Sequence, residues 1–376
     1  MESGSIKCFI LVAVFSVIFL FVGNRFAGFE RDEDIFMPSF KTGVVTEITS
    51  RVQQEGIWGV GTIDTTLTFY VRLTTRGERR GDVVEARQHL STRYLTDEKE
   101  VEAGDRVILF HDDYFDDFFF ANYVRINTIA VLGVIFLVLV IIFARKKGFN
   151  AIVSLGFTCL AIFLVFIPSI LGGRNIYLAT IIICAYAIVS TLLLVIGPGK
   201  KAWAAMLGCL GGVLLAGVMM LFTDRVLNLT GIFDEETQHI IFLFTENPIN
   251  LRAIIFAGVI LGAVGAIMDV AMSIASSLWE LRLAGGVTDF AGIVKSGISI
   301  GKDILGTMLN TLILAYIGSS LSLILLLSAH SPSLVDLIND EMIIVEFIRA
   351  LVGSFGMLLA IPLTAAVCGW LYAQEL

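Results

Sequence analysis

Asp269 lies inside an apolar run that extends from Ala253 to Leu278. At about 100° per residue, Gly258, Gly262, Gly265, Asp269, Ser273, Ser276 and Glu280 fall within about 40° of one line down a helix. One edge of that helix is therefore small or polar along its whole length. Small residues let a neighbouring helix approach closely, and a carboxylate at bilayer depth is costly unless it is partnered, protonated or wetted. Asp269 is predicted to face protein or water, and the chemistry open to it is the carrying of a proton or another ion.

Two later runs offer it partners. Asp303, Thr307 and Asn310 recur at i, i+4 and i+7 at the start of one, and Tyr316 adds a hydroxyl farther along. In the other, Glu346, Arg349, Gly353, Met357, Ala360 and Thr364 share a face, with Glu346 and Arg349 spaced to pair. Pro362 leaves the Leu358 carbonyl without its helical donor, so a free carbonyl beside Thr364 serves either packing compensation or an ion path. The expected arrangement has Asn310 and Thr307 hydrogen-bonding the Asp269 carboxyl and Ser273 and Ser276 lining an inner path. Glu280, Asp303, Tyr316, Glu346, Arg349 and Thr364 stand as supporting polar groups. Plainer readings accompany these. Asp303 and Glu346 lie near run ends, where charges reach water, and Gly208, Gly212 and Gly217 read as helix packing.

The elements that must position these groups are membrane helices. Among 376 residues, 56% are hydrophobic and 16% charged, against roughly 25% charged in soluble domains. Scanning for runs long enough to span a bilayer gives eight: Ile6–Val22, Ile126–Phe143, Ala151–Leu171, Ile176–Ile196, Trp203–Phe222, Ala253–Leu278, Ile304–Leu327 and Ile343–Leu371. Basic residues are retained on the cytoplasmic side. Arg145, Lys146 and Lys147 follow the second run, Lys200 and Lys201 the fourth, and Arg282, Lys295 and Lys302 the sixth. The opposite loops are acidic, as at Asp234, Glu235, Glu236 and Glu246, so both termini are expected in the cytoplasm. The first run reads as an uncleaved anchor rather than a signal peptide, because Gly23 to Phe26 offers no small-residue cleavage site.

Three parts follow: an anchor helix over residues 1–25, an extracytoplasmic β-rich domain over 26–125 and a seven-helix membrane domain over 126–376. In the second part the period drops to about two. Thr42–Thr49, Leu67–Thr74, Asp82–Ala86 and Arg106–Phe110 read as strands, and about five short strands favour a small closed, OB-like barrel. His111, Asp112, Asp113, Asp116 and Asp117 either hold a cation or form a solvated turn near the membrane, and the turn is preferred because adjacent carboxylates dictate no ligand geometry. Five scattered cysteines without CxxC spacing give no zinc or redox pattern. No metal, cofactor or catalytic residue is expected, and neither a nucleophile and base pair nor HExxH occurs, so the protein is not expected to be an enzyme. A formal charge of −8 spread over the loops provides no basic face for nucleic acid.

Three segments carry a resemblance. GAIMDVAMSIASSL from Gly265, IGKDILGTMLNTLILAY from Ile300 and IPLTA from Ile361 resemble the YibE/F-like family of bacterial multi-pass membrane proteins, over a stretch from about Gly43 to the C-terminus. The resemblance implies a bacterial plasma membrane location and this arrangement of spans, and it names no substrate. Lys302 departs from it, standing where an arginine is frequent, which keeps the charge but loses the planar fork. A looser similarity of topology runs to the SecD/SecF and RND permeases, in which a glycine-rich span with a buried acid is followed by an amphipathic cytoplasmic segment, here Trp279–Ser299. That likeness implies that Asp269 carries a proton. The function expected is therefore ion- or proton-coupled transport of an unidentified small molecule or ion through the lipid bilayer. The rival expectation is a non-transporting scaffold or sensor whose external domain binds a protein partner.

Overall fold

The computed structural model describes residues 2–28, 39–55, 63–75, 79–91, 99–112, 116–232, 235–244, 248–286, 289–330 and 333–373. Asp113, Asp234 and Glu246 lie outside the described residues. The chain divides into two compact units, Met1–Glu30 with Val140–Leu376, and Arg31–Leu139.

The smaller unit is built on five strands, β1 (Ser39–Glu55), β2 (Ile63–Leu73), β3 (Val83–Ser91), β4 (Arg106–Asp112) and β5 (Asp117–Tyr123), closed into a barrel in the order β1-β2-β3-β5-β4. All pairings are antiparallel except β3 with β5. Alternation along β2 sends Leu67, Phe69, Val71 and Leu73 inward, where they meet Val45, Ala86, Val107 and Leu109. β1 pairs with both β2 and β4, and two bulges, at Val45/Glu47 and Ile48/Ser50, bend it enough to do so. Buried Gln88 pins the segment after β3, donating to the Lys99 carbonyl and accepting from the Val101 amide. The four expected strands are present, each longer at one or both ends. The fifth, β5, falls where the sequence reads an acidic turn, because its aromatic run follows directly on Asp116 and Asp117.

The larger unit is helical. Its elements are α1 (Glu2–Ala27), α2 (Ile126–Ala161), a π-helical turn (Ile162–Phe166), α3 (Ile167–Leu171), α4 (Ile176–Val195), α5 (Lys200–Leu227), α6 (Glu235–Leu243), α7 (Leu251–Leu283), α8 (Phe290–Ser319), α9 (Leu321–His330), α10 (Leu334–Asn339) and α11 (Glu341–Ala373). The first part of α2, up to Leu139, counts with the barrel. Among the described residues, seven helices are long and apolar enough to cross a membrane. One of the seven covers two expected spans, since residues 126–171 form a helical stretch of 46 residues. Straight, it would measure about 69 Å, more than twice a hydrocarbon core of about 30 Å. It is not straight. Arg145 has φ 49° and ψ −124°, and a Cβ on Gly148 would lie 2.5 Å from the Val140 carbonyl oxygen. In a continuous helix those two residues would stand about 12 Å apart, so the chain bends sharply between them.

The core of the bundle forms where α5, α7, α8 and α11 meet, around Met206, Val213, Ile260, Ile267, Ile274 and Met357. Glycines permit the crossings. On α5, Gly208 lies against Thr364 and Gly212 against Ala360 and Ile267. One expected boundary is corrected. Residues 290–299, read as part of a cytoplasmic amphipathic segment, are the first turns of α8, started by Asp289, whose carboxylate accepts from the Gly292 amide at 2.9 Å. Gly297 and Gly301 pack on Ala365 and Ile361, so these turns belong to the bundle. The expected span Ile304–Leu327 does not hold as one helix, because α8 ends at Ser319 and α9 begins at Leu321.

Candidate polar site on helices 7, 8 and 11

Asn250 begins α7, its side-chain oxygen accepting from the Ala253 amide at 3.1 Å. The helix then buries Ala263, Ile267, Val270, Ala271 and Ile274 against α5 and α11. Fixing that side fixes the other. Gly258, Gly262, Gly265 and Asp269 all lie on the exposed side, Ser273 and Ser276 are half-buried beside it, and Glu280 is exposed at its end. The stripe read from the sequence is thus an outward-facing edge of the bundle.

Depth along the helix follows from length. α7 has 33 residues, about 50 Å. Asp269 stands about 27 Å from its start and about 21 Å from its end, so a hydrocarbon slab of about 30 Å encloses it wherever an upright helix sits.

Three of the supporting polar groups, Glu346, Arg349 and Tyr316, gather at the first half of the stripe. Arg349 donates through Nη1 to Glu346 Oε1 on α11, the i, i+3 pair expected, while Glu346 Oε2 is buried without a hydrogen-bond partner among the described residues. A Cβ on Gly258 would meet the Arg349 guanidinium at 4.0 Å. One turn on, a Cβ on Gly262 would meet the Tyr316 hydroxyl at 2.8 Å, so an alanine there would displace the end of that side chain. At Gly265 nothing lies within 4 Å, and the stripe opens toward Asp269.

The remaining expected partners are not brought there. α8 packs half-buried Ile304, Met308 and Leu312 against the core, which turns Asp303, Thr307 and Asn310 to its exposed far side. Thr307 donates to its own helix, to the Ile304 carbonyl at 3.0 Å, and no hydrogen bond joins Thr307 or Asn310 to Asp269 among the described residues. The expected contact is therefore corrected: the apolar face of α8 wins the core, and the polar face cannot also reach α7. Thr364 is fully buried against Gly208, away from the stripe's exposed edge, and its hydroxyl makes no hydrogen bond among the described residues.

The chain matches the model of the YibE/F-like proteins over residues 132–374. It belongs to the YibE/F-like family. No curated protein matches it, and no solved structure does. The family match takes in the stripe, α8 and α11; the barrel lies before it, so the resemblance read from about Gly43 is shown only from residue 132 onward.

Outside the membrane helices, Asp116 accepts from Arg79 at 2.6 Å and from His111 at 2.8 Å, and His111 stacks on Phe118. The Arg79 guanidinium first, and His111 second, hold the Asp116 carboxyl below the usual carboxylate range. Among the described residues no group of three His, Cys, Asp or Glu side chains is placed to hold a metal ion. Sequence reasoning missed one polar cluster on the helices of this YibE/F-like chain. Glu341 accepts from the Thr230 and Gly231 amides and from the Thr230 hydroxyl, each within 2.8 Å, tying the end of α5 to the start of α11. An acid in the first turn of a helix is a readable signal; its partner 111 residues earlier is not.

Proposed function

We propose that this YibE/F-like protein is an ion- or proton-coupled transporter of the bacterial plasma membrane, with Asp269 as the coupling carboxylate. One observation carries the reading: Asp269 is a carboxylate at mid-helix on α7, at hydrocarbon depth, without a hydrogen bond or ion pair among the described residues. Such a group is costly to leave in lipid and keeps its place through protonation or contact with water. The Glu346–Arg349 pair and Tyr316 lead along the stripe toward it, and Ser273, Ser276 and Glu280 continue beyond it. Protonation would bias two packing states of α7 against its neighbours. In this reading the chain crosses the bilayer eight times with both termini in the cytoplasm. The barrel lies outside, binding cargo or gating access, and the protein performs no catalysis and needs no cofactor.

The test uses full-length protein in proteoliposomes with an internal pH-sensitive dye. After an external pH drop, wild type is expected to admit protons, and Asp269→Asn is expected to abolish that flux while inserting and folding as wild type does. Undiminished flux in the variant overturns the mechanism.

A second reading has an observation of its own. The exposed edge of α7 and the exposed polar face of α8 both turn outward, as surfaces do that another membrane protein covers. Under this scaffold or sensor reading, Asp269→Asn changes assembly or melting temperature and wild type shows no gradient-linked flux.

A further inference from the structure

A second feature of the helical unit stands apart from the α7 stripe. Between the latter half of α1, the turns before α3 and the start of α4 lies a cavity of about 580 Å³, within the size range of small-molecule sites of about 300–1,000 Å³. Its walls are apolar, among them Phe19, Val22, Val165 and Ile182. Several wall residues are also exposed, Val22 and Ile182 with Ile18 and Leu178, so the cavity opens sideways to whatever surrounds the bundle. Among the described residues Arg174 is the charged one in its lining.

Arg174 is held at the rim. It donates through Nη2 to the Phe26 carbonyl at 3.0 Å, and its guanidinium lies 4.6 Å from the centre of the Phe26 ring. Among the described residues one carbonyl occupies one of its five N–H donors, which leaves the rest of the fork to an anion. The next residue, Asn175, caps α4 by accepting from the Leu178 amide at 3.1 Å, so the positive end of that helix points to the same rim. A group held here has an apolar body in the cavity and a negative head at Arg174.

We propose that this cavity binds an anionic phospholipid, one acyl chain between α1 and α4 and the headgroup phosphodiester against Arg174. A soluble anion would leave the apolar walls empty, and a zwitterionic lipid would bring its quaternary ammonium, as well as its phosphate, up to the guanidinium and the positive helix end. The site is independent of the coupling role of Asp269.

The experiment adds lipid or salt to delipidated full-length protein in detergent and follows its melting temperature by tryptophan fluorescence. The additions are phosphatidylglycerol, phosphatidylcholine with the same chains, and inorganic phosphate. Phosphatidylglycerol is expected to raise the melting temperature of wild type by several degrees, phosphatidylcholine by less and phosphate not at all. Arg174→Gln should erase the difference between the two lipids, and Ala179→Trp, which fills the cavity, should erase both shifts. Equal shifts from the two lipids in wild type overturn the proposal without recourse to any variant. So does a shift reproduced by phosphate alone, or a lipid preference that survives Arg174→Gln.

Discussion

Glycines that look alike along the chain do opposite things at the scale of a residue. A Cβ on Gly208 would stand 2.8 Å from the Cα of Thr364, a backbone atom that cannot turn aside, whereas a Cβ on Gly265 would meet nothing within 4 Å. Gly208→Ala must therefore push α5 from α11, and a loss of about 1–3 kcal/mol is expected. Gly265→Ala should be neutral or stabilising by up to about 1 kcal/mol, from helix propensity alone. Thermal unfolding of the two purified variants decides it, and equal losses would contradict the packing described. Asp116 gives a second expectation. Its folded pKa is depressed by Arg79 and then His111, so its contribution is present above the ordinary carboxylate pKa of about 4 and fades as pH falls through the lower folded value. The pair is exposed, so the effect is small. Melting curves from pH 7 to 3 should show Asp116→Asn losing stability less steeply than wild type below about pH 4.

Helices 7 and 8 show at the next scale how far a sequence can be read. The period of α7 placed Asp269 and its three glycines on one edge, and the structure keeps them there, because rotation about one helix axis is local arithmetic. The partnership with Thr307 and Asn310 was not local. It depended on which face of α8 turns inward, and that is decided by Gly297 and Gly301 fitting under Ala365 and Ile361, contacts sixty or more residues apart in the chain. The strand β5 escaped for a related reason: its pairing with β4 and β3, rather than its own alternation, makes it a strand. Whether water reaches the outward face of α8 can be checked by cysteine accessibility in a background lacking the five native cysteines. Thr307→Cys and Asn310→Cys are expected to react with a hydrophilic maleimide, and Ile293→Cys, fully buried on the same helix, to be protected. Protection of Thr307→Cys and Asn310→Cys would mean that lipid or protein covers that face, which removes a water-lined path along it.

For the whole molecule, the number of crossings depends on Arg145. If the chain doubles back there within the membrane system, residues 126–143 and 151–171 are separate crossings and the count is eight; if the 46-residue stretch crosses once, the count is seven and the termini lie on opposite sides. The charges argue for doubling back. Arg145, Lys146 and Lys147 stand together at the bend, where basic residues hold a loop in the cytoplasm, and a single crossing would drag all three into the hydrocarbon or leave about 40 Å of apolar helix in water. Eight crossings also place Lys200 and Lys201 on the side of the bend and the barrel on the other side. Two cysteine variants in intact cells test this: Glu85→Cys on exposed β3 and Lys147→Cys at the bend. Glu85→Cys is expected to react with an impermeant maleimide from outside, and Lys147→Cys only after the membrane is opened. Labelling of both from outside would put the bend and the barrel on one side, and the eight-crossing arrangement would fall with it.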